Sequence, residues 1–196
     1  TLSSPVNAAL GAQRATVVTV VDAGSFPDNC VMPSGWITPA DANAGWSIAT
    51  DTSFTGPCSL KSNPIGDSAK AQIQYTGNFE VGVISFARRV SSENTFDCLR
   101  FLVDDAQQNI SGTCNGLAAP GLGVSGESPW TAVQIPITAG AHTITWSYEK
   151  DAHSAGGSDM AWIDAVALPL VVNGPVGVSV VKAGNGSGSV TLAAAS

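Results

Sequence analysis

The chain has 196 residues, of which only 12% are charged, and its formal net charge is −7. With 21 glycines, 11 prolines and many Thr, Ser and Val residues, this composition is typical of a one-domain, all-β secreted protein. The charge argues against nucleic-acid binding, because neutralising phosphates requires clustered Lys and Arg, and Arg88-Arg89 is the only adjacent basic pair. No apolar run approaches the roughly 18 residues of a transmembrane helix.

The first half of the chain predicts a series of short strands separated by polar, Gly- or Pro-containing turns. Residues 1–14 are small and polar and indicate an arm without regular structure. Alternating or β-branched apolar residues predict strands at 15–21, 46–49, 59–62, 71–75, 81–90 and 98–104. Between them, the stretch 22–45 contains several turn signals.

The second half contains the clearest strand pattern, at residues 142–149. His142, Ile144, Trp146 and Tyr148 alternate with polar residues, as in a strand with one buried face. Further strands are predicted at 130–137 and 160–166, and residues 109–128 form a long Gly-rich insertion that Cys114 can pin. Any chemistry of the chain is expected near the polar loop that follows residue 149.

No segment of useful length has a helical period, so the order of strands and turns decides the predicted fold. Strands at intervals of about 8–12 residues are typical of a β-sandwich or jelly roll. We therefore predict an all-β, antiparallel jelly-roll β-sandwich with N- and C-terminal strand extensions. The expected organisation is an arm and strand at 1–24, a jelly-roll domain at 25–170 and a β tail at 171–196.

The four cysteines, Cys30, Cys58, Cys98 and Cys114, indicate the compartment. None forms a CxxC pair and only two histidines are present, which disfavours a structural zinc site. An even number in a β protein of low charge favours two disulfides and an oxidising, extracellular location. Of the three possible pairings, 30–58 and 98–114 join segments close in sequence. Four buried free thiols are the alternative.

A series of short motifs between residues 25 and 170 carries a family resemblance. It includes GW at 35–36, ISFARRVSSE at 84–93, the HTITWSYEKD run at 142–151 and GSDMAWIDAV at 157–166. In this order and spacing they resemble the concanavalin-like, MAM-like jelly-roll modules of bacterial secreted and surface proteins. The resemblance implies a mostly non-catalytic module attached to proteases, glycosidases or adhesins, and some relatives bind calcium.

Calcium is the expected cofactor, because a hard cation binds six to eight oxygens from carboxylates, carbonyls and loop side chains. Two loops offer carboxylates that turns can bring together, and the resemblance places Asp97, Asp151, Asp159 and Asp164 at acidic positions of the family. The full candidate ligand set is Glu93, Asp97, Asp151, Asp159 and Asp164. The alternative is that Asp164 accepts backbone N–H bonds and that Asp97 pairs with Arg88, Arg89 or Lys150.

A carbohydrate platform is the second candidate site, since an exposed flat aromatic ring can stack on a pyranose face. Trp36, Trp46 and Trp130 are the candidates, whereas Trp146 and Trp162 alternate with apolar neighbours and are expected in the core. The alternative is that most of the five tryptophans are structural.

The motifs of hydrolytic enzymes are not found, so a non-catalytic function is expected. No strand carries the alternating acidic residues of the concanavalin-like glucanases, and Gly123-Val124-Ser125-Gly126 lacks a complete nucleophile motif. With two histidines, a metalloprotease triad is excluded.

The leading functional prediction concerns the two ends of the chain. Segments 15–21 and 176–192 are β-prone, and each can dock on its own domain or on a neighbouring subunit by strand addition. Head-to-tail docking that does not close produces filaments. The prediction is therefore a secreted structural or adhesive protein, a fibre subunit that self-associates. The alternative is a carbohydrate- or calcium-binding accessory module of a larger secreted hydrolase or adhesin, with a cell-surface or polysaccharide ligand.

Overall fold

A computed structural model describes Phe26 and residues 30–117 and 119–171 of the chain. Over these residues the protein is an antiparallel β-sandwich, as predicted. The predicted strand at 15–21 and the tail after Val171, including segment 176–192, lie outside the described residues. The strands are β1 (Trp36–Ile37), β2 (Trp46–Ala49), β3 (Ser59–Ser62), β4 (Lys70–Phe79), β5 (Gly82–Ser91), β6 (Cys98–Val103), β7 (Ala106–Gln107), β8 (Thr113–Cys114), β9 (Gly121–Leu122), β10 (Glu127–Ile137), β11 (Gly140–Glu149) and β12 (Met160–Ala167).

Two five-stranded sheets face each other across the core. The first sheet has the order β1-β4-β11-β6-β7 and the second has the order β10-β5-β12-β3-β2. Strands β8 and β9 form a separate small hairpin within the predicted insertion. None of the described residues forms a helix that is long and apolar enough to cross a membrane.

Several strands are longer than the sequence pattern predicts, because a neighbouring strand continues to pair with them. Strand β4, predicted at 71–75, extends to Phe79 because β11 pairs with it in register over its whole length, from Glu149↔Lys70 to Gly140↔Phe79. Gly77 permits this extension. A Cβ atom there would lie 2.7 Å from the ring of Tyr75, which covers the position.

The core between the sheets is built around Trp146 of β11. Its indole stacks on Trp36 and contacts Phe86 and Phe101, with ring centroids 4.9–5.4 Å apart. Ile144, Trp146 and Tyr148 are fully buried, as their alternation predicts. The polar residues Thr145 and Ser147 on the opposite face are buried as well. This differs from the prediction of one buried face, since β11 is the central strand and neighbouring side chains cover it.

Both disulfides favoured by the cysteine spacing are present. Cys30–Cys58 ties the segment before β1 to the start of β3, and Cys98–Cys114 ties β6 to β8. None of the cysteines is free. The second disulfide holds the Gly-rich insertion against the edge of the first sheet, which determines one wall of a groove described below.

Candidate functional sites

Three predicted calcium ligands come together beside the end of β11. Glu93 and Asp97 lie in the turn between β5 and β6, where the Asp97 N–H donates to the Glu93 carbonyl at 3.2 Å. Asp151 follows β11, and its backbone N–H donates to Asp97 Oδ1 at 3.1 Å. One carboxylate oxygen of each residue lies within 4.8 Å of the others. We call Glu93, Asp97 and Asp151 the acidic cluster.

Two oxygens of the acidic cluster are buried without a hydrogen-bond partner among the described residues. These atoms are Glu93 Oε2 and Asp97 Oδ2, and the Asp97 side chain is fully buried. The great majority of buried polar atoms in proteins have a hydrogen-bond partner, so two unpartnered oxygens in one cluster require an explanation. A bound cation would supply the missing partner, and three carboxylates offer the hard oxygen ligands that calcium prefers.

Lys150 supplies the nearest positive charge to the acidic cluster. Its buried ammonium contacts Asp159 Oδ2 and lies 3.8 Å from Asp97 Oδ2. Burial raises the pKa of Asp97 to about 6, and the charge of Asp159 adds to this rise, whereas the Asp151 N–H and Lys150 oppose it. Lys150 therefore does not fully offset the effect of burial on the Asp97 carboxylate.

Two of the five predicted calcium ligands are engaged elsewhere. Asp159 accepts a hydrogen bond from the Tyr148 hydroxyl at 2.9 Å and contacts Lys150, so it lies beside the acidic cluster and is not one of its members. Asp164 is not a member of the cluster either, and the structure supports the alternative in which it accepts backbone N–H bonds. Its carboxylate accepts backbone N–H bonds from Phe54, Thr55 and Ala165 at 2.7–3.0 Å, which fastens the loop between β2 and β3 to β12.

Two of the three predicted carbohydrate-binding tryptophans are core residues. Trp36 is 8% exposed and stacks on Trp146, and Trp46 is 6% exposed and donates its indole N–H to the Ala71 carbonyl at 3.1 Å. Neither indole presents a face to solvent, so the platform prediction is wrong for both. Both lie in short strands, where the sequence does not show which face the sandwich will cover.

Trp130 lies in a cleft on the outer face of the second sheet. This cleft, of about 440 Å³, is lined by Arg89, Glu127, Ser128, Pro129 and Trp130. We call it the Trp130 cleft. It begins at a β-bulge, since the register of β10 against β5 shifts between Ser128 and Thr131. The bulge places Trp130 beside Arg89 of β5.

The loop between β2 and β3 completes the surroundings of the Trp130 cleft. Thr52 Oγ1 accepts hydrogen bonds from the Trp130 indole at 3.0 Å and from Arg89 Nη1 at 3.1 Å. Phe54, which is 45% exposed, lies 6.2 Å from the Trp130 ring. Sequence reasoning missed Phe54, Arg89 and Glu127, because residues 50–57 show only a loop pattern and Asp164 fixes that loop from more than a hundred residues away.

A second and larger recess lies on the outer face of the first sheet. It has a volume of about 770 Å³, and its polar lining residues include Asn43, Lys70, Arg100, Glu149, Asp151 and His153. We call it the β11 groove. Of its lining residues only Asp151 is a predicted ligand, although the loop after residue 149, where any chemistry is expected from the sequence, supplies both Asp151 and His153.

Comparison with known proteins places the chain among no established family. No family model matches it, and no curated protein matches it. Among solved structures it is similar to the secreted serine protease VesC from Vibrio cholerae, with 11% identity and a TM-score of 0.49 over 68% of this chain and 24% of that one. This chain therefore spans about a quarter of the length of VesC.

Two β-sandwich modules are also similar over most of their length. One is the K1 cleaved adhesin domain of Lys-gingipain from Porphyromonas gingivalis W83, with 11% identity, a TM-score of 0.48 and coverage of 72% of this chain and 94% of that one. The other is the xylan-binding domain CBM22-1 of Xyn10C from Paenibacillus barcinonensis, with 13% identity, a TM-score of 0.44 and coverage of 76% and 94%. None of these similarities reaches a TM-score of 0.5, and none assigns a ligand or an activity to this chain.

Proposed function

We propose that this protein is a secreted, non-catalytic module that binds a carbohydrate in the Trp130 cleft. The observation that supports the proposal is the combination of a partly exposed indole with an arginine, a glutamate and a serine in one recess. Saccharides are recognised by such pairings, because a ring face packs on an aromatic side chain while its hydroxyls exchange hydrogen bonds with charged and polar groups.

The Trp130 cleft is held in shape before any ligand arrives. Thr52 fixes both the indole and the Arg89 guanidinium, while Ser91 Oγ donates to Glu127 Oε1 at 2.6 Å. Arg89 also lies over the Trp162 ring, 5.5 Å from its centroid. A recess whose side chains are already fixed loses little conformational entropy on binding, which favours affinity from a small contact area.

Binding to immobilised neutral polysaccharides tests the proposal. Trp130→Ala is expected to raise the dissociation constant at least tenfold, since a loss of ~1.4 kcal/mol in binding free energy corresponds to a factor of ten. Trp130→Phe should retain part of the affinity. Phe54→Ala tests the ring that lies beside Trp130, and Phe96→Ala is its matched control, because both rings are similarly exposed at 45% and 41%. Equal affinity of Trp130→Ala and the unsubstituted chain would refute carbohydrate binding in this cleft.

Calcium binding is a second candidate, favoured by the orphaned oxygens Glu93 Oε2 and Asp97 Oδ2. In this proposal the acidic cluster supplies three carboxylate ligands, and loop carbonyls or water supply the others. Such an ion would lock the turn between β5 and β6 to the end of β11. Its role toward the Trp130 cleft would be to stabilise the module, since the acidic cluster and that cleft have no lining residue in common, whereas Asp151 also lines the β11 groove.

Thermal unfolding with calcium and with a chelator tests this second proposal. Calcium should raise the melting temperature of the unsubstituted chain, and Glu93→Gln, which preserves size while removing the charge, should abolish most of the rise. Asp105→Asn is the matched control, because Asp105 is exposed and lies outside the acidic cluster. A melting temperature that is the same in calcium and in chelator would refute calcium binding by the acidic cluster.

The fibre-subunit hypothesis remains a prediction of the sequence. It depends on strand exchange by segments 15–21 and 176–192, which lie outside the described residues. Negative-stain microscopy of the purified chain tests it directly. Monomers that persist with both terminal segments intact would refute it and would leave the accessory-module proposal unchanged.

A further inference from the structure

The β11 groove lies on the opposite side of the sandwich from the Trp130 cleft. Its base is formed where β4, β11 and β6 lie side by side, with Glu149 in register with Lys70 on one side and with Cys98 on the other. Because the two sheets face each other across the core, the outer face of the first sheet and that of the second point in opposite directions.

One wall of the β11 groove is the Gly-rich insertion, residues 109–117 and 119–126. The Cys98–Cys114 disulfide anchors it, and Leu99 and Val124 exchange two backbone hydrogen bonds of 2.8 Å. The Arg100 guanidinium adds a hydrogen bond to the Ala119 carbonyl. On the far side, Asn43 and Lys70 are joined by a backbone bond and by a side-chain bond, both 2.9 Å. Both walls are therefore held in place without a ligand.

The base of the groove contains an arginine that uses few of its hydrogen-bond donors. Arg100 is only 3% exposed, and within the described part of the chain its Nε has no hydrogen-bond partner. An arginine offers five N–H donors. Among the described residues the Arg100 guanidinium donates one hydrogen bond, to the Ala119 carbonyl, and the same Nε lies 3.5 Å from Glu149 Oε2 as an ion pair. A buried guanidinium with so few partners is costly unless a ligand completes its bonding.

Glu149 supplies acceptors immediately beside these donors. Its Oε1 accepts from Ser147 Oγ at 2.8 Å, and Ser147 in turn accepts from Gln72 Nε2 at 3.1 Å, so the carboxylate is held by a chain of buried polar groups. Donors on Arg100 and acceptors on Glu149 thus stand side by side at the base of the groove. Neighbouring hydroxyls of a sugar ring, each both donor and acceptor, match this pair.

We propose that the β11 groove is a second saccharide-binding site, and that the module is bivalent, with one site on each face of the sandwich. This inference rests on the proposed carbohydrate-binding function. The described lining of the groove includes no Trp, Tyr or Phe ring, so recognition there is mainly by hydrogen bonds. Leu117 is the single large apolar side chain in the lining, which disfavours an apolar peptide. The charged lining residues, Lys70, Arg100 and Lys150 against Glu149 and Asp151, nearly cancel, so the ligand expected in the groove is a neutral saccharide.

A steric block of the groove tests the second site without removing any buried group. Ala152→Trp places a bulky ring at an exposed lining position, and Ala155→Trp, exposed in the same loop but outside the lining, is the matched control. Glu149→Gln provides an independent variant that preserves shape and removes the acceptor charge. The probes are soluble xylan, galactan, mannan and β-glucan, with polygalacturonate as the acidic arm.

The measurements are binding stoichiometry and the cross-linking of polysaccharide-coated beads. The unsubstituted chain and Ala155→Trp should cross-link the beads. Ala152→Trp and Trp130→Ala should each bind polysaccharide at the one remaining site and should not cross-link the beads. The double variant, which combines Ala152→Trp with Trp130→Ala, should not bind. Cross-linking by Ala152→Trp equal to that of the control would overturn the second site alone. Absence of any binding by the unsubstituted chain would overturn the proposed function as well, and preference for polygalacturonate would overturn the neutral ligand class.

Discussion

The indole of Trp36 stacks on that of Trp146, with centroids 5.1 Å apart and planes inclined by 11°. This contact joins the short edge strand β1 to the centre of the first sheet. Trp146 is fully buried and also meets Phe86 and Phe101, so Trp36 closes one side of the aromatic core.

Trp36→Ala is therefore expected to be severely destabilising. Truncation of a buried tryptophan removes its packing and leaves a cavity, and we expect a loss of about 3–5 kcal/mol in the free energy of unfolding. Chemical denaturation of the purified variant measures it. Trp130→Ala, at a half-buried position, should lose clearly less; equal losses would contradict the assignment of Trp36 to the core and Trp130 to a surface cleft.

A second prediction concerns Asp164 and the loop that borders the Trp130 cleft. Asp164→Ala leaves the backbone N–H groups of Phe54 and Thr55 without their acceptor, and we expect a loss of about 1–3 kcal/mol. The loop carries Thr52 and Phe54, so saccharide affinity should fall with it. Amide hydrogen exchange should show faster exchange at Phe54 and Thr55. If Phe54 and Thr55 exchange as slowly in Asp164→Ala as in the control Asp105→Asn, Asp164 does not hold the loop.

The third prediction is a pH dependence in the presence of a chelator. Asp97 has a pKa of about 6 in the folded protein, against an ordinary value of 3.8. The folded state therefore binds this proton more tightly than the unfolded state between these values, and the contribution of Asp97 to stability decreases as the pH rises from about 4 to 6. Glu93, Asp151, Asp159 and Lys150 are the charged groups around it.

Asp97→Asn isolates this effect, because asparagine retains the oxygen that accepts from the Asp151 N–H. In the presence of chelator, the free energy of unfolding of the variant should increasingly exceed that of the unsubstituted chain as the pH rises from about 4 to 6. Near pH 4 the two free energies of unfolding should be equal. Urea denaturation at a series of pH values measures the difference. A difference that does not vary with pH would show that Asp97 titrates normally.

The fourth prediction concerns the Cys98–Cys114 disulfide, which closes a loop of sequence separation 16. Replacing both cysteines by alanine is expected to lower the free energy of unfolding by about 3 kcal/mol, because the unfolded chain gains freedom. The Gly-rich insertion should also become sensitive to limited proteolysis. In the β11 groove this variant should bind saccharide more weakly, while the Trp130 cleft keeps its affinity. Resistance to proteolysis equal to that of the intact chain would contradict the anchoring role.

The amino-acid sequence by itself determined the fold class and the positions of most strands. Alternation at 142–149 and 160–166 reflects the local geometry of a strand, in which successive side chains point to opposite faces, and this requires no knowledge of the neighbouring strands. The disulfide pairing also followed from short separations along the chain. These features depend on residues near one another in sequence.

Only the tertiary structure decided which candidate residues meet. Asp97 and Asp151 are 54 residues apart and come together because β6 and β11 are neighbours, whereas Asp164, on β12 of the other sheet, is directed to Phe54, 110 residues away. Trp36 and Trp46 were candidates for a surface platform because a short strand does not reveal its buried face. Burial and charge pairing arise from the packing of the two sheets, and that packing depends on the order of the strands. The residue pattern of a single strand does not contain the strand order.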